Sequence, residues 1–286
     1  MAAAVTTAGA RPRRAGHLSS LSFIGTIPFL GYVGVFLLLP TGIVIWNAVR
    51  SPAGQFDPGA LKLLGNPAVR SYFTGSIELC AVSSVIGAVL GAILAYAVAS
   101  GNPSGVIRRL SLAGSGVLAQ FGGVTLAFAF NAAIGPSNGF LLHAGWYYNF
   151  PWGIGLIYVY FEVPLMVLVF LPAIDGLKIQ WREATENLGG STYQYWRHVG
   201  IPLLTPAFIG STLLLFANAL SAYATIQAWE NQISYTVPQQ IYIAINSEVG
   251  LASNEGDILA LGMVVLVAIV MTLYVLLQRR AARWLR

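Results

Sequence analysis

Six long apolar stretches set the strongest limit on what this chain can fold into. Each has about 20 residues or more, the length that crosses roughly 30 Å of hydrocarbon as an α-helix. They run approximately over Ile24 to Val49, Ser76 to Ala99, Leu112 to Ala133, Trp152 to Ile174, Pro206 to Ala228 and Ile258 to Leu277. The pattern predicts an all-α polytopic membrane protein with six transmembrane helices.

The composition excludes a soluble domain. Only 9% of the 286 residues are charged, whereas a soluble globular domain carries about 25%. The single cysteine, Cys80, lies inside an apolar run and so provides neither a disulfide framework nor a Cys/His metal array. The net charge of +5 does not indicate nucleic-acid binding, because the basic residues flank the apolar stretches instead of gathering on one soluble face.

The positions of lysine and arginine predict the orientation, since positive side chains are held on the cytoplasmic side of an energised membrane. With both termini cytoplasmic, twelve of the fifteen basic residues fall on that side, namely Arg11, Arg13, Arg14, Arg108, Arg109, Lys178, Arg182, Arg197, Arg279, Arg280, Arg283 and Arg286. We expect a multi-pass protein of the cytoplasmic membrane. Its parts are a cytoplasmic tail at 1–23, a six-helix domain at 24–278 and a second cytoplasmic tail at 279–286.

The last outer loop, residues 229–257, is acidic and contains no lysine or arginine. Its 29 residues are many for a connection without secondary structure. We expect the segment from Val237 to Ile245 to form a short helix near the outer mouth of the bundle. Two interpretations stay open, a plain surface helix and a helix that lines the transport path.

A cytoplasmic loop between the fourth and fifth stretches, at about 178–205, has the most informative local pattern. Glu183 to Leu188 is typical of a short helix, and Gly189 can supply the left-handed residue that ends it. Ser191 can cap a second short helix, which Pro202 is expected to stop before the next span. We call this bent helix pair the elbow. It is predicted to expose Tyr193, Tyr195 and Trp196.

The elbow also shows fixed spacings. Glu183-Ala184-Thr185 is followed after three residues by Gly189, and after nine more by Val199-Gly-Ile-Pro202. This arrangement closely resembles the EAA loop of bacterial ABC-importer permeases, whose pattern is Glu-Ala-Ala, three residues, Gly, nine residues and Ile-x-Leu-Pro. The chain departs from that pattern at Thr185, Val199 and Ile201, each of which is a conservative change in size.

The resemblance covers roughly residues 70–280 and implies the type I importer permease fold. In the family, the EAA loop sits in a cleft of the ATP-binding subunit and receives its motion. The resemblance therefore implies two ATP-binding subunits, a second permease subunit and an extracytoplasmic substrate-binding protein as partners, besides membrane lipid. The implied coupling residues are Glu183, Ala184, Thr185, Gly189, Tyr193, Trp196 and Pro202.

The lysines indicate that ATP is handled elsewhere. A phosphate-binding loop of the form G-x-x-x-x-G-K-[ST] needs a lysine directly after glycine. The only two lysines, Lys62 and Lys178, both follow leucine. We therefore expect a transport subunit that is not itself an enzyme and holds no cofactor, with ATP and Mg²⁺ bound by the partner ATPase.

Finer features resemble the spermidine/putrescine group of these permeases. They are the Leu-Ala-Phe-Ala-Phe run at 126–130 and the spacing between Pro164 and Pro172. This resemblance implies a polyamine-like cargo, while permeases for iron, thiamine, phosphonates and opines share the architecture and stay open as alternatives. A secondary transporter is a more distant alternative, because broken helices with ionisable groups near the midplane suit it too.

Glu162 is the outstanding candidate for the transport path, because an ionisable residue inside a span usually faces a cavity or a partner. Pro164 frees a backbone carbonyl nearby, and Tyr158 and Tyr160 could attract a cation through their rings. A carboxylate in this setting could hold an ammonium group. The alternative is a structural bond within the bundle or to the second permease.

Two further patterns concern the helices themselves. Asn218 and Tyr223 give the fifth span a polar outer half, consistent with a path-lining helix or with interhelical hydrogen bonding. Small residues recur every four positions along the second span and predict close helix packing, at Ser83, Gly87, Gly91, Ala95 and Ala99. The three histidines are scattered, so no metal site or catalytic set is predicted.

Overall fold

A computed structural model shows an almost entirely helical chain. It describes residues 18–50, 55–56, 58–135, 146, 150–229, 236–246 and 255–284. Within these residues the β structure is limited to an isolated bridge between Arg50 and Phe56. The predictions that involve Arg11, Arg13, Arg14 and the acidic residues Glu230 and Glu248 fall outside the described residues.

The described residues contain twelve α-helices. They are α1 (Leu18–Val33), α2 (Leu39–Ala48), α3 (Pro67–Ala99), α4 (Val106–Gln120), α5 (Gly123–Ile134), α6 (Trp152–Asp175), α7 (Ile179–Asn187), α8 (Thr192–Tyr195), α9 (Ile201–Ser221), α10 (Tyr223–Ala228), α11 (Val237–Asn246) and α12 (Glu255–Trp284). Two π-helical turns, Gly34–Leu38 and Trp196–Gly200, join α1 to α2 and α8 to α9. A 3₁₀ helix, Pro58–Gly65, precedes α3.

The number of apolar helices agrees with a multi-pass membrane protein. Five continuous helical runs are long and apolar enough to cross a membrane, namely Thr26–Ala48, Pro67–Ala99, Trp152–Asp175, Thr192–Ser221 and Glu255–Arg279. The pair α4 and α5, bent by 96°, makes a sixth crossing when the two helices are taken as one span. The predicted all-α architecture with six crossings is confirmed in this form.

The third span is not the continuous helix that its composition predicts. α4 ends at Gln120, and α5 begins at Gly123, whose φ is +72°. A residue in the left-handed region cannot continue a right-handed helix, and glycine adopts that region without the clash that a Cβ would cause. Hydropathy registers the apolar side chains on both sides of this break and not the backbone conformation within it.

The fifth span also differs from its predicted bounds, Pro206 to Ala228. α9 already begins at Ile201 and ends at Ser221, and Ala222 separates it from α10. Of the polar residues predicted for its outer half, Asn218 lies in α9 and Tyr223 begins the separate helix α10. The described residues thus contain two breaks within the predicted spans, one after α4 and one after α9.

The packing centre of the bundle is the contact between α3 and α6. A Cβ added at Gly87 would lie 2.7 Å from the Cβ of Glu162, and one added at Gly91 would lie 2.5 Å from the Cβ of Met166. Only glycine allows the two helices to approach this closely. The predicted packing ridge of small residues on α3 is confirmed, since Ser83, Gly87, Gly91 and Ala95 are buried and Ala99 is half-buried.

The first span lies at the periphery. None of the residues in its most apolar window is buried within the chain, and α2 packs against α12. Its exposed apolar side chains must meet lipid or another apolar helix. They include Phe29, Tyr32, Phe36, Leu38 and Trp46.

The short helix predicted in the last outer loop is present as α11. Its first residue, Val237, is fully buried, and the backbone N–H of Val237 donates to Ser76 Oγ of α3 at 2.9 Å. α11 also packs against α12. The helix is thereby fixed to the end of the bundle opposite the elbow.

Candidate functional site

The first helix of the elbow, α7, ends in the way that the sequence predicts. Gly189 has φ +79°, and its N–H donates to the carbonyl of Glu186 at 2.9 Å. The next N–H, that of Gly190, reaches back to the carbonyl of Thr185, also at 2.9 Å. This pair of bonds is the Schellman motif, which satisfies carbonyls left free at a helix end. The chain turns sharply at this point.

The second helix of the elbow, α8, begins with a capping box. Ser191 Oγ accepts a hydrogen bond from the N–H of Gln194 at 3.3 Å, and Gln194 Oε1 accepts one from the N–H of Ser191 at 2.7 Å. Both backbone donors would otherwise lack a partner within the helix. The prediction that Ser191 caps this helix is confirmed. The elbow is therefore held by local hydrogen bonds on both sides of Gly189.

Pro202 does not stop the second helix, contrary to the sequence prediction. α8 continues through the π turn Trp196–Gly200 directly into α9, where Pro202 occupies the first turn. In this turn the N–H of Ile201 donates to the carbonyl of Trp196, five residues back. In a regular α-helix the proline ring would clash with the carbonyl four residues back. The wider π turn accommodates the proline, and the helix continues.

The elbow presents only some of its predicted residues to solvent. Glu183 and Ala184 are exposed, and Tyr193 is 70% exposed. Thr185 is half-buried, and its hydroxyl donates to the carbonyl of Trp181 at 2.9 Å. Some of the predicted coupling residues therefore point outward, and others hold the elbow together.

Two aromatic residues of the elbow are withdrawn from solvent. Tyr195 is buried, with its ring edge-to-face against Trp196, so the prediction that it is exposed is wrong. Trp196 is half-buried, with its ring edge-to-face against Tyr96 of α3 at a centroid distance of 5.3 Å. The burial of Trp196 depends on the position of α3, which the local sequence does not reveal.

Leu188 is a residue of the elbow that the sequence reasoning missed. It follows α7 and is 89% exposed, the highest value among the large apolar side chains described. With Tyr193 it forms an apolar tip on the otherwise polar elbow. The signal was present in the sequence, because a leucine directly before a helix-ending glycine cannot turn back onto its own short helix.

Glu162 lies inside the bundle between α6 and α3. The residue is fully buried, and its Oε1 accepts hydrogen bonds from Ser84 Oγ at 2.9 Å and from Ser83 Oγ at 3.4 Å. Its Oε2 has no hydrogen-bond partner among the described residues and lies next to Gly87. This position fits the alternative of a structural bond within the bundle.

The two tyrosines predicted to accompany Glu162 are directed to other neighbours. The hydroxyl of Tyr158 donates to the carbonyl of Ala222 at 3.1 Å. The ring of Tyr160 packs edge-to-face on Phe130 of α5 at a centroid distance of 5.6 Å. Tyr158 therefore satisfies a carbonyl that the break after α9 sets free, and Tyr160 holds α5 against α6.

The two helix breaks meet. Gly123, at the start of α5, lies against α10, since a Cβ added to it would be 3.7 Å from the Cβ of Ala224. Gly122 faces the ring of Phe161 in the middle of α6. Because α6 crosses the bundle from one end to the other, this contact places the paired breaks near half-depth.

At the paired breaks Phe121 and Val124 are exposed apolar side chains, and four further exposed side chains there are polar and uncharged. They are Gln120, Thr125, Ser221 and Gln227. The predicted path residues Asn218 and Tyr223 are half-buried beside them. The hydroxyl of Tyr223 donates to Gln227 Oε1 at 3.0 Å, and its ring contacts Tyr242 of α11. We call this group the polar break.

No group of three or more His, Cys, Asp or Glu side chains that could hold a metal ion occurs among the described residues. In the described part of the chain, the elbow and the polar break are two features with a chemistry beyond helix packing. One is an exposed projection, and the other is a group of uncharged polar side chains at half-depth.

Comparisons with known proteins place these features in context. No protein-family model matches the chain. The chain is 22% identical over 227 residues to the sulfate transport system permease protein CysT of Escherichia coli strain K12, covering 71% of this chain and 75% of that protein. It is 23% identical to the probable sulfate transport system permease protein cysT of Anthoceros angustus, covering 69% and 68%. The molybdenum transport system permease protein ModB of Escherichia coli strain K12 is 26% identical over 107 residues, covering 36% and 47%.

Solved structures share the fold. A chain of a bacterial ABC transporter involved in the import of the acidic polysaccharide alginate matches with a TM-score of 0.67 at 14% identity, covering 93% of this chain and 96% of that chain. A chain of the inward-facing MetNI methionine ABC transporter matches with a TM-score of 0.54 at 15% identity, covering 74% and 95%. The spermidine/putrescine expectation is corrected here, because the relatives found are permeases of sulfate and molybdenum systems.

Proposed function

We propose that this chain, which has the fold of ABC-transporter permeases, is the permease subunit of an ATP-driven importer and that its cargo is a tetrahedral oxyanion such as sulfate or molybdate. Similarity to permeases of sulfate and molybdenum systems supports this class of cargo. The elbow is the observation that carries the importer role, because its exposed apolar tip needs a second protein to cover it.

The tip of the elbow suits docking into a groove. Leu188 and Tyr193 are exposed, while the backbone beneath them is fixed by the Schellman motif and the capping box. An ion pair one helical turn apart, between Arg182 and Glu186 at 2.9 Å, adds to the order of α7. A rigid projection with exposed apolar side chains marks a protein-interaction surface. We propose an ATP-binding subunit as its partner.

The coupling roles of the remaining elbow residues follow from this proposal. Glu183 and Ala184 are exposed on α7 and would contact the ATPase directly. Thr185, Gly189 and Trp196 would act by holding the shape of the elbow. The elbow would then face the cytoplasm, where the ATPase is, and α11 would face the exterior, where the binding protein delivers its cargo.

The polar break suits the passage of an oxyanion. It combines neutral hydrogen-bonding groups with the exposed apolar side chains Phe121 and Val124, and neutral donors can replace water around an anion without holding it through a strong ion pair. A polyamine would instead favour exposed carboxylates, whereas Glu162 is fully buried between α3 and α6. We propose that the polar break, together with the second permease, lines the midpoint of the path.

The cargo proposal is tested by uptake. The chain in complex with its second permease, ATPase and binding protein is placed in proteoliposomes, and entry of radiolabelled sulfate, molybdate and spermidine is measured. ATP-dependent entry of sulfate or molybdate, unaffected by excess spermidine, is expected. Entry of spermidine alone would contradict the oxyanion cargo. Entry driven by an ion gradient without ATP would point to a secondary transporter and contradict the importer role.

The elbow is tested separately by cysteine labelling. The only native cysteine, Cys80, is buried at 3% exposure, so an added cysteine reports on its own position. Tyr193→Cys should react with a membrane-impermeant maleimide in inverted vesicles and not in intact cells, and the bound ATPase should protect it. Ile245→Cys, exposed on α11, is the matched control and should react on the opposite side. Labelling of Tyr193→Cys from the outside would overturn the proposed orientation.

A further inference from the structure

An apolar groove of about 840 Å³ lies at the elbow end of the bundle, away from the polar break. The last turns of α6 form one wall and the end of α12 forms the other, with the first half of α9 between them. Pro206 and Gly210 of α9 line it, as does Ala173 of α6. A Cβ added to Gly210 would lie 3.5 Å from the ring of Tyr274, so the small residue leaves room beside that ring.

The elbow end of the groove is polar, and two basic residues, Lys178 and Arg279, directly follow residues that line it. Gln278 Nε2 donates to the hydroxyl of Tyr274, and both residues line the groove. Trp181 of α7 lines it as well, with Lys178 Nζ 5.9 Å from the centroid of its ring. Arg279 directly follows Gln278 and is exposed. Three more arginines come after it in the sequence, at positions 280, 283 and 286.

The two basic side chains at this end are available to a ligand. Neither Lys178 nor Arg279 forms an ion pair within the described part of the chain. Two nearby carboxylates are already engaged, since Asp175 pairs with Arg108 and Glu186 pairs with Arg182.

We propose that this groove binds a phospholipid with an anionic headgroup. An acyl chain would occupy the apolar part along α9, and the headgroup would lie between Lys178 and Arg279. A groove between membrane helices that is apolar along its length and basic at one end matches the two halves of such a lipid. A zwitterionic lipid would fill the apolar part equally well but would gain much less from the basic end. The inference does not depend on the cargo of the transporter.

The location gives the lipid contact with the elbow. Trp181 belongs to α7, and Pro202 and Leu203 lie where α8 has continued into α9, and all three line the groove. A lipid bound there touches α7 and the first turn of α9, into which α8 continues. It would fill the space between the elbow and the spans that neither helix covers by itself.

Native mass spectrometry of the purified full chain in its complex tests the proposal. Dioleoyl phosphatidylglycerol and dioleoyl phosphatidylcholine, which share their acyl chains, are added separately, and the retained lipid is measured. The phosphatidylglycerol preference is expected to be roughly tenfold or more, since each basic residue near an anionic lipid adds attraction. The double variant Lys178→Gln/Arg279→Gln should lose most of it. Lys62→Gln/Arg109→Gln removes the same charge elsewhere and should keep it.

A second variant and a second measurement distinguish the contribution of the apolar groove to lipid binding from that of the basic side chains. Ala173→Trp fills the groove and should reduce retention of both lipids. Photoactivatable phosphatidylglycerol bound to the wild-type complex should form adducts on residues 169–177 and 202–211, a result that needs no variant to fold. Equal retention of both lipids by the wild type would overturn the proposal, as would an unchanged preference in Lys178→Gln/Arg279→Gln or adducts confined to other segments. Evidence that a second permease chain occupies this groove, such as cross-links between the two chains at these residues, would also overturn the proposal.

Discussion

The α3–α6 contact and the elbow both depend on glycine, but for opposite reasons. Gly91 has ordinary helical geometry, and a Cβ there would meet Met166 Cβ at 2.5 Å and the carbonyl oxygen of Val163 at 2.7 Å. Gly189 has nothing within 4 Å of such a Cβ, yet its φ is +79°. The first glycine is required by the space between two helices and the second by its own backbone. Gly91 therefore contributes to the stability of the α3–α6 contact, whereas Gly189 determines the shape of the elbow.

Gly91→Ala should give the largest loss of stability. The added methyl group forces α3 and α6 apart, because a backbone oxygen at 2.7 Å cannot move aside as a side chain can. Overpacking of this kind costs about 1–3 kcal/mol, and we expect the upper part of that range. The measurement is thermal unfolding of the detergent-solubilised chain followed by intrinsic fluorescence.

Gly114→Ala on α4 is the matched control. Nothing lies within 4 Å of a Cβ at that position, and alanine favours a helix over glycine. Its melting temperature should equal or exceed that of the wild type. Equal melting temperatures for Gly91→Ala and the wild type would show that the helix contact is looser than the structure has it.

Ser84→Ala should have the next largest effect. It leaves Glu162 Oε1 with the longer contact to Ser83 at 3.4 Å, and an incompletely paired buried acceptor costs about 1–3 kcal/mol. Glu162→Gln keeps an acceptor oxygen of the same size and should be better tolerated. A double-mutant cycle between Ser84→Ala and Glu162→Met, which lacks the acceptor oxygen, should show coupling between the two sites in thermal unfolding. Additive effects would contradict a direct bond.

The same glutamine variant addresses the cation hypothesis drawn from the sequence. With Glu162 serving only as a structural acceptor, the Glu162→Gln complex should transport its cargo at close to the wild-type rate. A large rise in the substrate concentration needed for half-maximal uptake, with unfolding unchanged, would instead indicate direct contact with a cation.

Gly189→Val should lower stability less than Gly91→Ala or Ser84→Ala does, but it should reduce transport more. A β-branched residue at φ +79° is strained by about 1–3 kcal/mol, and relief of that strain bends the elbow without disturbing the spans. Unfolding should shift by only a few degrees, while ATP-dependent uptake should fall at least tenfold. Gly189→Asn is the matched control, since asparagine tolerates the left-handed region. If both variants transport equally well, the shape of the elbow does not matter for coupling.

Ser191→Ala should have the smallest effect. It removes one half of the capping box, at a usual cost of about 0.5–2 kcal/mol. Because α8 is continuous with α9, the spans hold the rest of the helix and the loss should stay near the lower limit. Hydrogen exchange of residues 191–195 should accelerate while that of α3 stays unchanged. Faster exchange throughout the bundle would show that the elbow is not an independent local structure.

Local chemistry in the sequence predicted the elbow well. A left-handed glycine and a serine cap act within a few residues, so Gly189 and Ser191 could be identified without knowledge of the fold. The packing of α3 could be predicted for a related reason, since a four-residue repeat of small side chains describes one helix face. The short helix α11 followed from the length of its loop.

Other features depend on backbone conformation or distant neighbours. The break at Gly123 lies inside an apolar run, and hydropathy carries no information about the backbone angle φ that causes the break. Pro202 stays within a helix because a π turn precedes it, which the proline rule does not anticipate. The serine partners of Glu162 are 78 and 79 residues away in sequence. The spermidine/putrescine resemblance rested on the run at 126–130 and on the spacing of Pro164 and Pro172, whereas the relatives found are permeases of sulfate and molybdenum systems.

The continuity of α8 with α9 makes Thr192–Ser221 a single rod of 30 residues. At 1.5 Å per residue, this lever is about 45 Å long, with Gly189 just outside one end and Ala222 at the other. A stiff lever tilts by the same angle along its whole length, so a small swing at the elbow end would move the opposite end sideways by a comparable distance. The break at Ala222 would absorb that swing and leave α10 and α11 at rest beside the moving end of α9.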